Sequence, residues 1–248
     1  MKLNNCFYIY IAWIMSTGFT YAQVDAQKVF DSMLKTYSEA STYQDFGTVT
    51  TLLETKQNTI KTQFIFRTAY QRSTGQFRFA YLEEKRTRFT ILDEKCHVSW
   101  SDGRSTKSYW TIGNRLSDHQ HITESLAAVT GVSGTASRKI PGILLTEPIR
   151  AGWDIRSLGA LQMMPNEQIK DIDCYHISGQ VMQMNRKIQV DLWIDQKTYL
   201  IKKITEESGP MGDSITKSIH IFEYEAAINT PIPSRYFEFN YQDCLLEK

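Results

Sequence analysis

Neither sign of charge dominates this 248-residue sequence: 28 Lys+Arg stand against 27 Asp+Glu. No basic stripe stands out either, which argues against nucleic acid or an acidic membrane surface as a partner. Cysteine is scarce, with four in the whole chain. Cys6 precedes the first apolar run instead of following it, so it is not a lipid-attachment cysteine. Cys96, Cys174 and Cys244 match no metal-ligand spacing. They allow one internal bridge and leave one thiol over, with the choice of pair open. After the N-terminus no apolar run approaches the ~20 residues of a membrane span. A phosphate-binding glycine loop, a dinucleotide fingerprint, internal repeats and low-complexity tracts are also missing.

Near-motifs fall short for stated reasons. "GVSGT" has Thr135 where a nucleophile elbow needs Gly, and no strand precedes it. His119, His121 and Glu124 in "HQHITE" sit at a helix start with no evident third ligand from elsewhere. Asp171 and Asp173 in "KDIDCY" lack the glycine-containing loop and the roughly six oxygens of a calcium site. Glu83-Glu84 and Glu206-Glu207 lie at strand ends and read as solvated pairs. The sequence therefore assigns no catalytic residue, no metal and no cofactor, and it reads as a non-enzyme.

The N-terminus has the form of a secretory signal peptide. Lys2 is followed by the apolar run "FYIYIAWIM" (Phe7 to Met15) and by small residues ending in Thr20-Tyr21-Ala22, with cleavage expected after Ala22. The run is about half the length of a spanning helix. Removing residues 1–22 leaves a domain of residues 23–248. Its side chains are formally neutral, because loss of Lys2 brings 28 cations to 27 against 27 anions. The expected location is periplasmic or elsewhere in the cell envelope.

The mature chain begins with a helix. Asp25 is placed to cap it, and Val29, Phe30, Met33, Leu34 and Tyr37 form one apolar stripe. Strand patterns follow: "FGTVTTLLET", "KTQFIFRTAY", "GQFRFAYLEE", "RTRFTILDEK", "CHVSWSDG" and "RSTKSYWTIG". Ser73-Thr74-Gly75 and Asp102-Gly103 mark turns between them. "HQHITESLAAVTGV" reads as a helix, and "RKIPGILLTEPI" as a short helical or irregular apolar segment. No alternation is visible between Asn114 and Met164. Strands resume with "DIDCYHISGQV", the hairpin "VDLWIDQKTYLIKKI" turning at Asp195–Thr198, "SITKSIHIFEYEA", and a last short strand at "YFEFNY". The fold class is thus α+β: a curved antiparallel sheet forming a half-open barrel, its concave face covered by helices.

Aromatic residues on strands are the enriched feature. Phe77, Phe79 and Tyr81 alternate on one strand, with Arg78 and Ala80 between them. Phe64, Phe66, Trp100, Tyr109, Trp193, Phe222 and Tyr224 lie on others. Either they fill an ordinary core or they line a ligand cavity that two short helices do not fill. The expected cavity residues are Phe64, Phe66, Phe77, Phe79, Tyr81, Trp100, Tyr109, Trp193 and Phe222, under helices at Asp25–Tyr37 and Gln120–Leu145. Arg78 and Arg88 are expected at the water-facing side.

The order of these features resembles the periplasmic lipoprotein-carrier superfamily, the LolA and LolB carriers and their exported relatives. The resemblance is carried by "DAQKVFDSMLKTYSEASTYQ", "RSTGQFRF", "SWSDGRSTKSYW", "DIDCYHISG", "VDLWIDQKTYLIKKI" and "YFEFN", in that order. Arg72-Ser73 stands where the family has Arg-Pro, and Asp195-Gln196 where the carriers have an Asp-Pro turn. The resemblance implies a half-barrel closed by helices that holds an apolar ligand, a lipid or the acyl chains of a lipoprotein. It also implies an alternative, an envelope sensor or interaction module with a protein partner. The expected form is a monomer.

Overall fold

The computed structural model describes residues 24–83, 95–150, 152–183, 185–210 and 215–239. The signal segment, Arg88, Cys244 and all but the last residue of the strand expected at "RTRFTILDEK" lie outside the described residues. Helix α1 spans Ala26–Glu39, and the Asp25 side chain accepts from the Gln27 N–H at 2.8 Å. This satisfies one of the amides that a helix start leaves unpaired. Ala26, Val29, Phe30, Met33 and Tyr37 are its buried face, with Leu34 packed at the edge.

Two antiparallel meanders follow. The first is β1 (Thr42–Thr55), β2 (Thr59–Gln71), β3 (Gln76–Glu83), β4 (Lys95–Asp102), β5 (Thr106–Trp110) and β6 (Arg115–His119). The second is β7 (Gly159–Ile169), β8 (Ile172–Gln183), β9 (Arg186–Asp195), β10 (Ile201–Ser208) and β11 (Ile215–Ile228). Pairing of β1 with β11 fuses them into one eleven-stranded sheet in the order β6-β5-β4-β3-β2-β1-β11-β10-β9-β8-β7. The edges β6 and β7 do not pair, so the barrel stays open. The chain must cross from one edge to the other between them. Helices α2 (Ile122–Val129) and α3 (Lys139–Leu144) lie on this crossing and join α1 over the concave face.

The expected hairpin is present. Asp195 Oδ1 accepts from the Lys197 and Thr198 amides at 2.8 and 3.3 Å, and Tyr199 takes the left-handed φ of 55° that lets the chain return. Three features differ from expectation. β6 and β7 form where no alternation was visible. Both are edges, and much of each faces water, so neither needs a regular apolar face. Tyr236 and Phe237, the first two residues of the expected last strand, belong instead to a short 3₁₀ helix, Ser234–Phe237, after Pro231 and Pro233. This segment packs on the convex side, where the Phe237 carbonyl accepts from Trp100 Nε1 at 2.6 Å. It helps cover Arg78, which is 2% exposed and not at the water-facing side. Cys96, beside it, is disulfide-bonded, and Cys174 is a buried free thiol.

Candidate functional site

Register decides which aromatic rings meet. On β1 the concave positions are Tyr43, Asp45, Gly47, Val49 and Thr51. Phe66 and Tyr224 lie opposite Gly47, and Phe64 and Phe222 opposite Val49. Tyr81 pairs with Phe66, and Phe77 with Tyr70. The rings contact one another in sequence: Phe66 with Phe79 at 6.2 Å, Phe66 with Tyr224 at 5.4 Å, Phe64 with Tyr81 at 6.2 Å, and Tyr70 with Phe77 at 5.9 Å. These are ordinary separations for packed aromatic pairs. The structure thus brings together Phe64, Phe66, Phe77, Phe79, Tyr81 and Phe222 with Phe30, Met33 and Tyr37 of α1, Leu126 and Val129 of α2, and Ile140 and Leu144 of α3.

Three expected cavity residues lie elsewhere. Trp100 pairs with Arg78 and belongs to a separate cluster with Ala80, Cys96 and Val98. Tyr109 pairs with Val98 on that same face, and its hydroxyl donates to Asn114. Trp193 pairs with His176, stacks on it at 4.3 Å, and lies under the Lys203 ammonium. All three sit at odd-numbered steps from the inward residues of their neighbours. Successive side chains point to opposite faces, so aromatic content without cross-strand parity placed them wrongly.

Polar groups interrupt the apolar face at two places. The first is under α1. Asp45 is buried and accepts from the Tyr43 hydroxyl at 2.6 Å and the Thr68 amide at 2.7 Å. Burial pushes its carboxyl up to about 7, against the pull of those hydrogen bonds and of the Arg67 charge. Tyr37 next to it has its pKa raised by burial, and its hydroxyl oxygen accepts from the Ile201 amide at 3.0 Å.

The second place is under α3 and was not foreseen. Lys139 is 1% exposed and forms an ion pair with Glu206 of β10, itself buried. Its ammonium lies 3.8 Å from the centre of the Trp153 ring and 5.6 Å from that of Phe222. Burial pulls the ammonium pKa down to about 8, partly offset by Glu206. A sequence signal for this pair existed. Lys139 opens an apolar helical run, and Glu206 shares the inward parity of Ile204. Next to the pair a cleft of about 220 Å³ opens between the α2–α3 loop and strands β8 to β11. Thr135, Arg138, Arg186 and Glu206 line it, as do Ile188 and His220. The Arg138 guanidinium has its pKa lowered by burial, opposed by the charges of Glu206 and Asp154. Burial lowers the His220 pKa, opposed by the Glu206 charge; its Nδ1 meets Thr51 Oγ1 at 3.0 Å and its Nε2 meets Ser218 Oγ at 3.1 Å.

Ser133 of "GVSGT" is buried, and its Oγ accepts from the Ser137 amide at 3.4 Å. His119 meets Ser108 at 2.7 Å, while His121 faces Glu147 at 4.0 Å. Among the described residues no group of three or more His, Cys, Asp or Glu is arranged to hold a metal. No helix among them is long and apolar enough to cross a membrane. What this geometry offers chemically is apolar burial with a charged mouth.

No family model matches the chain, and no curated protein matches it. Solved structures do. The chain is similar to the lipoprotein LppX of Mycobacterium tuberculosis, at 12% identity and TM-score 0.44, over 84% of this chain and 99% of that one. It is similar to a LolA superfamily protein from Nitrosomonas europaea, at 10% identity and TM-score 0.33, over 88% and 99%. A third is a putative outer membrane lipoprotein-sorting protein domain from Vibrio parahaemolyticus, at 10% identity and TM-score 0.35, over 86% and 97%. The architecture of the chain itself is an open curved antiparallel sheet with helices on its concave face.

Proposed function

We propose that the protein is an exported single-domain binder of an apolar, lipid-like ligand in the cell envelope, formed by residues 23–248 after loss of the signal segment. The observation that carries this reading is the way the concave face is covered. An open eleven-stranded sheet presents a largely apolar concave surface, interrupted at Asp45 and Glu206, and its cover is three helices of 14, 8 and 6 residues. Two of them sit on the one segment that crosses between the sheet edges, and in this reading that segment is the part of the cover that yields. An acyl chain taking its place against the sheet gains about 0.8 kcal/mol per buried methylene. The aromatic rings fill the space in the ligand-free form, and entry requires α2 and α3 to move outward.

The test is native mass spectrometry of the purified protein, followed by solvent extraction and titration with a fluorescent fatty acid. Co-purifying lipid, or saturable probe binding after extraction, is the expected result. A delipidated, folded protein that ignores the probe removes the reading. Export is tested separately: N-terminal sequencing of the mature protein is expected to begin near Gln23, and retained Met1 in a membrane fraction contradicts it.

A further inference from the structure

The cleft beside the Lys139–Glu206 pair has an unequal charge lining. Among its lining residues two guanidinium groups, Arg138 and Arg186, face one carboxylate, Glu206. That carboxylate is already engaged by Lys139, which does not line the cleft. Asp154, also outside the lining, acts electrostatically on Arg138 and Lys139. It is itself held by Arg156, whose Nε and Nη2 lie 3.0 and 2.6 Å from its oxygens. The cleft also holds a hydroxyl in need of an acceptor. Thr135 Oγ1 is buried with no hydrogen-bond partner among the described residues, and buried polar groups are normally paired. Ile188 lines the same cleft and belongs to the main apolar cluster, so the charged mouth is continuous with the interior.

We infer that this cleft is an anion site that takes a carboxylate or phosphate, and that the preferred ligand is an anionic amphiphile with its head at Arg138, Arg186 and Thr135. The head assignment stands on the lining of the cleft, whereas the tail assignment rests on the lipid-binding reading above. A planar guanidinium suits both anions, because its donors pair with two oxygens at once. The volume of about 220 Å³ holds a head group and the first few carbons, and Ile188 marks the direction of the rest.

The experiment compares four probes on delipidated protein: oleate, oleyl alcohol, butyrate and inorganic phosphate. The variant is Arg186→Gln, because Arg186 is exposed and its loss leaves the core intact. A thermal melt checks that the variant is folded. Wild type is expected to prefer oleate over oleyl alcohol by about 10-fold or more, as for a hydrogen bond to a charged group. Arg186→Gln is expected to shrink that preference by about 3-fold, the size of an exposed ion pair. Equal binding of oleate and oleyl alcohol overturns the anion site and leaves apolar binding standing. Binding of butyrate or phosphate alone, weakened by Arg186→Gln, keeps the anion site, removes the tail, and names a small free anion as the ligand. Binding of none of the four overturns both.

Discussion

Around Phe66, Phe77 and Phe79 the concave sheet is closed by ring against ring, whereas under α3 it is closed by a lysine against a glutamate. Both regions are equally buried, yet they respond differently to disturbance. Phe66, Phe77 and Phe79 have no charge to leave unpaired, and loss of one creates a void. Lys139 and Glu206 fit only as a pair, since either alone is an uncompensated charge in an apolar layer. The aromatic region is therefore the stable wall of the half-barrel. The ionic region is its conditional closure, and it is the one that borders a cleft.

The largest effects test this contrast directly. Phe79→Ala is expected to cost roughly 3–5 kcal/mol, because Phe79 is fully buried and stacks on Phe66. A urea midpoint nearly unchanged from wild type implies slack around the ring, and the wall is then not a wall. Lys139→Met is expected to cost a similar ~3–5 kcal/mol by stranding Glu206. The double variant Lys139→Met, Glu206→Leu is expected to regain most of it, because burying an apolar pair removes the desolvation cost of both ions. No aromatic double substitution offers the same recovery. If the double variant is less stable than the single one, the pair contributes net stability and the two regions are alike.

The sequence made the aromatic region legible and left the ionic one hidden, for one physical reason. Alternation reports which residues share a face, so Phe64 and Phe66, and likewise Phe77, Phe79 and Tyr81, were placed on common faces by period alone. It does not report which face is covered. Arg78 was assigned to water by the correct parity, but a segment more than 150 positions later in the chain folds over that face through Tyr236 and Phe237. Trp100 and Trp193 were assigned inward on aromatic content, and parity across the pairing puts them outward. The strands β6 and β7 carry weak alternation because edges are solvated on much of their surface. Glu206 read as a solvated charge because its partner lies 67 positions away, 206 less 139, on a helix whose docking no local pattern encodes.

The aromatic region has one buried charge of its own, and it titrates. The Asp45 carboxyl is raised to about 7, first by burial. The unfolded value is near 3.9. Between these values the folded state holds a proton that the unfolded state has released, so stability falls as pH rises through the window and is flat above it. The expected loss from about pH 4 to pH 7 is on the order of 1–4 kcal/mol. Asp45→Asn is expected to flatten the profile there, because the amide does not ionise; its oxygen still accepts from the Thr68 N–H, and its NH2 donates to the Tyr43 hydroxyl oxygen. Urea midpoints of both proteins across the window make the check. Parallel profiles transfer the pH dependence to another group and leave the aromatic region without a titrating member.

The smallest effect is the sharpest probe of packing, since it adds one carbon to each region. A Cβ on Gly47, at the centre of the aromatic wall, meets the Phe66 ring at 2.2 Å and the Glu223 carbonyl oxygen at 2.7 Å. The ring has nowhere simple to go, because Phe79 and Tyr224 already flank it. The backbone oxygen belongs to β11 and cannot rotate away. Gly47→Ala is therefore expected to destabilise by about 1–3 kcal/mol through overpacking. A Cβ on Gly131, in the loop between α2 and α3, meets nothing within 4 Å. There the same change restricts the unfolded chain and clashes with nothing, so the expected effect runs from neutral to about 1 kcal/mol of stabilisation. The difference between the two variants, measured by urea denaturation without ligand, reports how much harder the wall is than the cover. If Gly47→Ala proves neutral, Phe66 has room to move in the ligand-free protein, and the aromatic face itself becomes the place where an acyl chain enters. If Gly131→Ala is strongly destabilising, the loop is held as tightly as the wall, and α2 and α3 do not lift as the proposed entry route requires.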